Sequence, residues 1–210
     1  MRDLDRLAVW IQAALTRLFI WFPQRGRYEG TKEASFVEDP TTLYTFRKDG
    51  PPIAQTTLFG TIIWNETYTE QLSPLAKSVV FHHECSHRDR NPVFKGALLG
   101  MMVCCLGGFG VLLLVAEAFI AGASMSELAI PTLAGLGMIG TFGLLFRIEE
   151  TLAHYDALLV VGEEKFLEAC EEIAEVSSDG FFQRALSKVG YTHPRNVVRL
   201  HHLLRHSDNA

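Results

Sequence analysis

The stretch HHECSH, residues 82–87, brings together side chains that can bind a metal ion and move a proton. His83 and His87 are four residues apart, so on a helix both imidazoles lie on one face and can reach one ion. Glu84 follows the first histidine, which directs its carboxylate to the side of that ion, where it can take a proton from an activated water. The pattern is short, and an ordinary polar helix is the alternative.

Two histidines do not complete a catalytic zinc site, which needs three protein ligands and one open position. We expect Glu150 to be the third ligand, because it begins a segment that returns to the side of His87 after two long apolar runs. We expect the adjacent Glu149 to point elsewhere on the helix, whereas His154, one turn further on, shares the face of Glu150. The alternative for the glutamate pair is a charge that the dipole favours at a helix N-terminus.

The segments before the apolar runs would position the two histidines. Pro74 can open a helix that carries the H-E-x-x-H pattern, and Asn91-Pro92 ends it, because proline disfavours continuation. Short β-prone runs between Thr31 and Asn65, among them TLYTF and LFGTIIW, indicate a small β element. The RKDGPP stretch is typical of a turn between two strands.

Two uncharged runs, residues 96–116 and 128–146, each have about the length that a bilayer core requires. The connector EAFIAGASMSE is short, so we expect a transmembrane hairpin; a buried pair of soluble helices is the alternative. The connector contains no lysine or arginine, whereas basic residues flank the open end of the hairpin: Arg88, Arg90, Lys95 and Arg147. The positive-inside rule therefore predicts an integral protein of the cell membrane whose active site faces the cytoplasm.

The composition agrees with a membrane protein in a reducing compartment. Of the 210 residues 48% are hydrophobic, and the net charge of −5 is too mild to indicate a nucleic-acid partner. The four cysteines form no C-x-x-C pair, so no disulfide framework is expected. Residues 7–22 contain Arg17 and lack a small-residue cleavage site, which argues against a cleavable signal peptide. This segment is either a helix at the membrane surface or an ordinary packed amphipathic helix.

At the level of motifs, the chain resembles HtpX-type membrane zinc metalloproteases, which are related to the prenyl-protein endopeptidases that cut C-A-A-X proteins. Four pieces match in order: HHECSHRDRN for the zinc helix, the two-span hairpin, RIEETLAHYDA for an R-x-x-E-x-x-A-D segment and THPRNVVRL for a T-H-P segment. Together they cover roughly residues 59–204. The run TLFGTIIWN resembles the edge strand of that family, against which a substrate could lie extended.

The resemblance implies a site and an organisation for the whole chain. Zn²⁺ would be bound by His83, His87 and Glu150, with Glu84 as the general base of an endopeptidase that acts on protein or peptide substrates in the lipid bilayer. The expected fold is mainly α with a small β element, a zincin-like metalloprotease domain interrupted by a transmembrane helical hairpin. Its expected parts are an N-terminal membrane-associated or amphipathic helix (1–30), the β element and zinc helix (31–95), the hairpin (96–146) and a helical part with the third ligand (147–210).

Four further residues decide how far the resemblance extends. Where the family usually has an aspartate one turn after the third ligand, this chain has His154, with Asp156 two positions later. A carboxylate that orients a ligand histidine is therefore absent from its expected place. His193 and Arg199 are candidate stabilisers of the oxyanion formed during hydrolysis. Alternatively, His193 only forms a turn with the proline that follows, and Arg199 only pairs with a carboxylate.

Two other functions compete with the protease. Glu84 and His87 also have the E-x-x-H spacing of carboxylate-bridged iron sites, so a membrane di-iron oxygenase similar to desaturases is one rival. That reading needs further ligands, and the histidine after Glu150 stands one residue too far along for a second E-x-x-H. The other rival is a membrane scaffold that keeps the protease fold and has lost activity through the change at His154.

Overall fold

The computed structural model describes residues 27–37, 41–49, 52–57, 60–176 and 192–207. Within these ranges the protein is mainly helical with one four-stranded sheet, which confirms the mainly α class with a small β element. The predicted N-terminal helix over residues 7–22 lies outside the described residues. Residues 27–30, which were assigned to that helical part, instead belong to a strand.

The strands are β1 (Arg27–Glu33), β2 (Thr42–Arg47), β3 (Ala54–Thr56) and β4 (Ile62–Asn65). The helices are α1 (Glu66–Thr69), α2 (Pro74–Asp89), α3 (Pro92–Ile120), α4 (Met125–Val161), α5 (Glu163–Val176) and α6 (Pro194–Ser207). Contacts between Cα atoms divide the chain into two compact units. The sheet unit contains β1 to β4, α1, α2, α4 from Thr151 onward, α5 and α6; the hairpin unit contains Arg90–Glu150.

The sheet has the strand order β1-β2-β4-β3, with β4 parallel to β2 and antiparallel to β3. The RKDGPP stretch separates β2 from β3 along the chain, so it stands between two strands as the sequence predicts, although these strands are not neighbours in the described sheet. One expectation is wrong. The TLFGTIIWN run is not an edge strand, because β4 lies between two neighbours. Ile62 and Trp64 are almost completely buried, as the apolar character of a central strand requires.

Helix α2 begins and ends where the sequence predicts. Pro74 occupies its first position, and the Oγ of the preceding Ser73 accepts a hydrogen bond from the backbone N–H of Ala76 at 3.1 Å. The carboxylate of Glu172 on α5 accepts from both the N–H and the hydroxyl of Ser73, at 2.5 and 2.6 Å. These contacts fix the start of α2 against α5. The apolar side chains that α2, α4, α5 and α6 bury together include Ala76, Val79, Ala157, Phe166 and Val197.

The hairpin unit consists of α3, a short turn and the first part of α4. Two helices, Lys95–Ile120 and Met125–Val161, are long and apolar enough to cross a membrane. Their backbones approach closely at Gly108 and Gly135, since a Cβ added at Gly108 would lie 2.8 Å from the carbonyl oxygen of Gly135. Gly122 has φ +95 in the turn, a conformation that favours glycine.

Helix α4 continues without a break from the second apolar run into the polar segment RIEETLAHYDA. The sequence predicts instead that a new helix begins near Glu150. Because Glu150 lies inside a 37-residue helix, the explanation of the glutamate pair as charges at a helix N-terminus is wrong. The division between the two units also falls inside this helix, between Glu150 and Thr151.

Candidate metal centre

His83 and His87 form the centre of the candidate site on α2. Their Nε2 atoms are 3.0 Å apart, and their ring centroids are 4.7 Å apart at an interplanar angle of 84°. Both side chains are half-buried. The four-residue spacing on one helix produces this convergence, as the sequence predicts. Two imidazole nitrogens this close either share one proton in a hydrogen bond or face a common cation.

Glu84 lies beside them on the same helix and is only 7% exposed. The hydroxyl oxygen of Thr56, at the end of β3, lies 2.9 Å from Oε2 of Glu84 and 2.7 Å from its carbonyl oxygen. The hydroxyl therefore donates to the carboxylate, to the carbonyl or to both in turn. This contact orients a buried carboxylate from the edge of the sheet. This contact could not be predicted from the sequence, because Thr56 and Glu84 are 28 positions apart.

His154 on α4 contacts His83. Its ring centroid lies 4.4 Å from that of His83 at an interplanar angle of 77°, and 6.2 Å from the ring of Phe166. Asp156, the nearest aspartate to the position the family pattern requires, accepts a hydrogen bond from the hydroxyl of Ser86 at 2.5 Å. That carboxylate connects α4 to α2. An imidazole thus occupies the position at which the family pattern has a carboxylate.

Two overlapping groups of side chains in the described residues could hold a metal ion, and Glu150 belongs to both. In the first group, ligand atoms of His83, Glu150 and His154 lie within 4.8 Å of one another; in the second, so do those of His87, Glu149 and Glu150. The three predicted ligands do not form one group, because His83 belongs to the first, His87 to the second and Glu150 to both. The expectation that Glu149 points away is wrong, since its carboxylate reaches the second group.

Glu149 also has a cationic neighbour in the hairpin unit. Its Oε1 lies 3.4 Å from Nε of Arg90, and the carboxylate is almost completely buried. An arginine at this distance compensates the negative charge in a buried position. The ion pair competes with any metal ion for the electron pairs of Glu149.

His193 and Arg199 are both exposed and belong to neither group. Nδ1 of His193 accepts a hydrogen bond from the N–H of Arg195 at 3.3 Å, and its carbonyl accepts from the N–H of Asn196 at 2.8 Å. These bonds cap the start of α6, which favours the turn as the role of His193. The neighbouring Thr192 is buried and shares a hydrogen bond between hydroxyls with Thr151 of α4.

The two other candidate donors on α2 have different surroundings. Burial raises the pKa of the Cys85 thiol to about 11, so this thiol is protonated at neutral pH. Burial also lowers the pKa of His82, whose ring packs edge-on against Phe81. Cys85 packs against the apolar cluster around Trp64, and neither Cys85 nor His82 belongs to a candidate metal group.

The short motifs are what relates this chain to known proteins. A comparison of the chain with protein families, curated proteins and solved structures found no match in any of the three. The resemblance to membrane zinc metalloproteases therefore rests on the four quoted motifs. The arrangement of the side chains around His83 is the physical basis for a functional proposal.

Proposed function

We propose that this chain is a membrane-embedded, zinc-dependent endopeptidase in which His83, His87 and Glu150 bind Zn²⁺ and Glu84 is the general base. One observation carries the proposal: the Nε2 atoms of His83 and His87 converge to 3.0 Å beside the buried carboxylate of Glu84. A metal-binding pair and a proton acceptor on the same helix turn are the minimal equipment for hydrolysis by an activated water.

The donor set fits Zn²⁺. Imidazole nitrogens and a carboxylate oxygen are the ligands of catalytic zinc sites, with metal–nitrogen distances of about 2.0–2.1 Å. In a tetrahedral site those lengths place two ligand nitrogens about 3.3 Å apart. The observed 3.0 Å between the Nε2 atoms of His83 and His87 differs from that separation by a few tenths of an ångström.

The side chains of the site have separate tasks in the proposed reaction. When bound, Zn²⁺ acidifies a water molecule and polarises the carbonyl of the scissile peptide bond. Glu84 accepts a proton from the water as the water oxygen forms its bond to the carbonyl carbon. Glu84 then donates this proton to the amide nitrogen as the carbon–nitrogen bond breaks, which leaves a carboxylic acid and an amine. Thr56 holds the Glu84 carboxylate in place for both transfers.

The proposed substrate is an extended peptide segment, and the sheet offers an edge for it. Strand β3 is the edge strand beyond β4, and it carries Thr56, which contacts Glu84. A peptide that pairs with β3 would have its backbone close to the general base. The two apolar helices support membrane proteins or misfolded proteins as the source of such segments, and the flanking basic residues support a cytoplasmic site in the cell membrane.

Metal content and cleavage, measured on the same preparations, test this proposal. We expect the purified full-length chain to bind about one zinc and to cut casein or an unfolded membrane protein. Glu84→Gln should keep the zinc and lose about 10²- to 10⁴-fold in rate, the usual contribution of a general base. Glu171→Gln, an exposed position on α5, is the matched control and should retain full activity. Cleavage by Glu84→Gln at the wild-type rate would contradict the mechanism.

A second candidate function is favoured by one observation, the sharing of Glu150 between two His/Glu groups. A shared carboxylate is the arrangement of bridged di-iron sites, so an oxygenase would use His83 and His154 for one iron and His87 for the other. The ion pair of Glu149 with Arg90 opposes this reading, because it removes a ligand from the second iron. Two irons per chain and oxygen-dependent turnover would favour the oxygenase, and a chain without bound metal would favour the inactive scaffold.

A further inference from the structure

We propose that His154 is a direct ligand of the bound metal ion, so that the ion has three imidazole donors, His83, His87 and His154, instead of two. This inference rests on the proposed function, because it concerns the same ion. It goes beyond that proposal because the family pattern has a carboxylate near this position and assigns no ligand to it. All three histidines belong to the sheet unit.

The first argument is the position of the ring. The centroid of His154 lies 4.4 Å from that of His83, closer than the 4.7 Å between His83 and His87. One nitrogen of His154 lies within 4.8 Å of ligand atoms of both His83 and Glu150. The ring of Phe166 is further away, at 6.2 Å. The ring of His154 therefore lies closer to the candidate metal donor His83 than to Phe166 of the apolar core.

The second argument is the repeated spacing of the donors. His83 and His87 are four residues apart on α2, and Glu150 and His154 are four residues apart on α4. On a helix this spacing puts both members of a pair on one face. Each of the two helices thus carries a pair of potential metal donors one turn apart. The ring of His83 on α2 contacts the ring of His154 on α4.

The third argument concerns the alternative role of orienting a ligand histidine, which the family pattern gives to an aspartate. A neutral imidazole is a weaker partner for that task than a carboxylate, whereas it is among the best ligands of zinc. The nearest carboxylate, Asp156, instead accepts a hydrogen bond from Ser86. Histidine in place of the aspartate of the family pattern thus removes a group that could orient a ligand histidine. It adds a group that can bind the metal ion directly.

A third imidazole changes the properties of the site. A bound ion would then have three imidazole donors from the sheet unit, and the proposed ligand Glu150 would compete with water for the remaining position. A nitrogen-rich site also selects Zn²⁺ over Mg²⁺, Ca²⁺ and Mn²⁺, which prefer oxygen donors. The inference therefore predicts tight binding of zinc and a slow exchange of the coordinated ion.

X-ray absorption spectroscopy on the full-length chain loaded with Zn²⁺ counts the imidazoles directly. We expect three imidazoles in the wild type, two in His154→Phe and three in the control His82→Phe, which removes a half-buried histidine outside both groups. The dissociation constant for Zn²⁺ should rise at least about tenfold in His154→Phe and stay unchanged in the control. His154→Gln, with its fold checked by circular dichroism, replaces His154→Phe if that variant does not fold.

The outcomes separate this inference from the proposed function. One zinc with two imidazoles in the wild type, or equal affinity in His154→Phe and the wild type, would overturn the role of His154 and leave the proposed protease intact. A wild-type chain that binds no zinc would overturn both. Three imidazoles in the wild type together with weakened binding in the variant would support His154 as a ligand, whether or not the loaded protein cleaves a peptide.

Discussion

In the sheet unit, the largest side chains are inside: Trp64, Phe166 and Leu43 are fully buried. In the hairpin unit large apolar side chains such as Leu113 and Ile120 are mostly exposed, and the two helices approach each other closely at two glycines. The first pattern is that of a protein folded in water, where burial of apolar area supplies the driving force. The second is that of helices in lipid, where small residues allow close packing and large ones face the chains of the lipid.

The polar contacts of the two units differ as well. The three histidines and Glu84 belong to the sheet unit, where polar groups such as those of Thr56 and Ser86 have specific partners. In the hairpin unit a polar side chain such as Thr141 donates only to the carbonyl one turn earlier, that of Gly137 at 2.8 Å. We therefore expect substitutions in the sheet unit to affect folding and catalysis, and those in the hairpin unit to affect mainly insertion into the membrane.

The largest expected effect comes from truncating matched phenylalanines in the two units. Phe166 is 0% exposed in the helical core, so Phe166→Ala should lower the free energy of unfolding by about 3–5 kcal/mol. Phe109 on α3 is 53% exposed, and Phe109→Ala should lower it by less than about 1 kcal/mol. Unfolding of both variants in mild detergent, followed by circular dichroism, gives the two values. Equal losses would contradict the division into a water-type core and a lipid-facing hairpin.

A charge placed on an exposed leucine tests which solvent each surface meets. Leu136 on α4 is 53% exposed and lies near the middle of an apolar run, so Leu136→Arg should oppose insertion by about 2.5–3.5 kcal/mol. Leu203 on α6 is 69% exposed, and Leu203→Arg should change stability by no more than about 0.5 kcal/mol. The fraction of each variant that resists extraction from membranes by alkaline carbonate measures insertion. Normal insertion of Leu136→Arg would place that face of α4 in water.

The contrast between the units also explains how much of the fold the sequence could predict. Helix α2 and the two apolar helices were predictable, because proline positions and the length of an uncharged run are local signals. The continuity of α4 was not, because the hydropathy changes near Arg147 while the backbone hydrogen bonds continue, and no proline or glycine interrupts the next turns. The order of the strands was missed for a different reason. The parallel pairing of β2 with β4 is a long-range contact that leaves no local signal.

The site shows the same limit at the level of single side chains. The approach of His83 to His87 follows from their spacing on one helix, so the sequence predicts it directly. The partnership of Thr56 with Glu84 could not be predicted, because it depends on how a sheet edge packs against a helix. The sequence did not predict that the Glu149 carboxylate belongs to a candidate metal group. Helical spacing gives the direction of a Cβ atom, whereas a flexible glutamate can place its carboxylate several ångströms to one side.

The hydroxyl that holds Glu84 offers the next prediction, on a polar contact inside the sheet unit. Thr56→Val keeps the shape of the side chain and removes the donor to the carboxylate, a hydrogen bond to a charged group worth about 1.5–3 kcal/mol. We expect kcat for peptide cleavage to fall about 10- to 100-fold with little change in KM, because the hydroxyl is bonded to Glu84 and a peptide paired with β3 would be held by the backbone of that strand. Thr56→Ser should restore most of the rate. A loss in Thr56→Ser as large as that in Thr56→Val would show that packing, not the hydroxyl, matters.

The equivalent internal contact of the hairpin unit is the approach of two backbones. In Gly108→Ala the added Cβ would lie 2.8 Å from the carbonyl oxygen of Gly135, so the helices must separate, at a loss of about 1–3 kcal/mol. Gly107→Ala is the matched control, because its Cβ would meet nothing within 4 Å. Thermal unfolding in detergent measures both. If Gly107→Ala were the more damaging change, the helices would pack through a different face.

The smallest effect concerns pH and again compares the two units. Burial raises the pKa of the Cys170 thiol from 9.0 to about 12. Below pH 9 the thiol is protonated in both the folded and the unfolded chain, so its contribution to stability is fully present. As the pH rises from 9 towards 12 the unfolded chain loses this proton first, and stability falls by at most about 1.4 kcal/mol per pH unit. Denaturant titrations between pH 8 and 10 should therefore show a shallower decline of the free energy of unfolding with pH for Cys170→Ala than for the wild type.

The control is Cys104→Ala, which removes an exposed thiol of the hairpin unit and should keep the wild-type decline. A shallower decline in this variant would mean that Cys104 is buried as the protein folds.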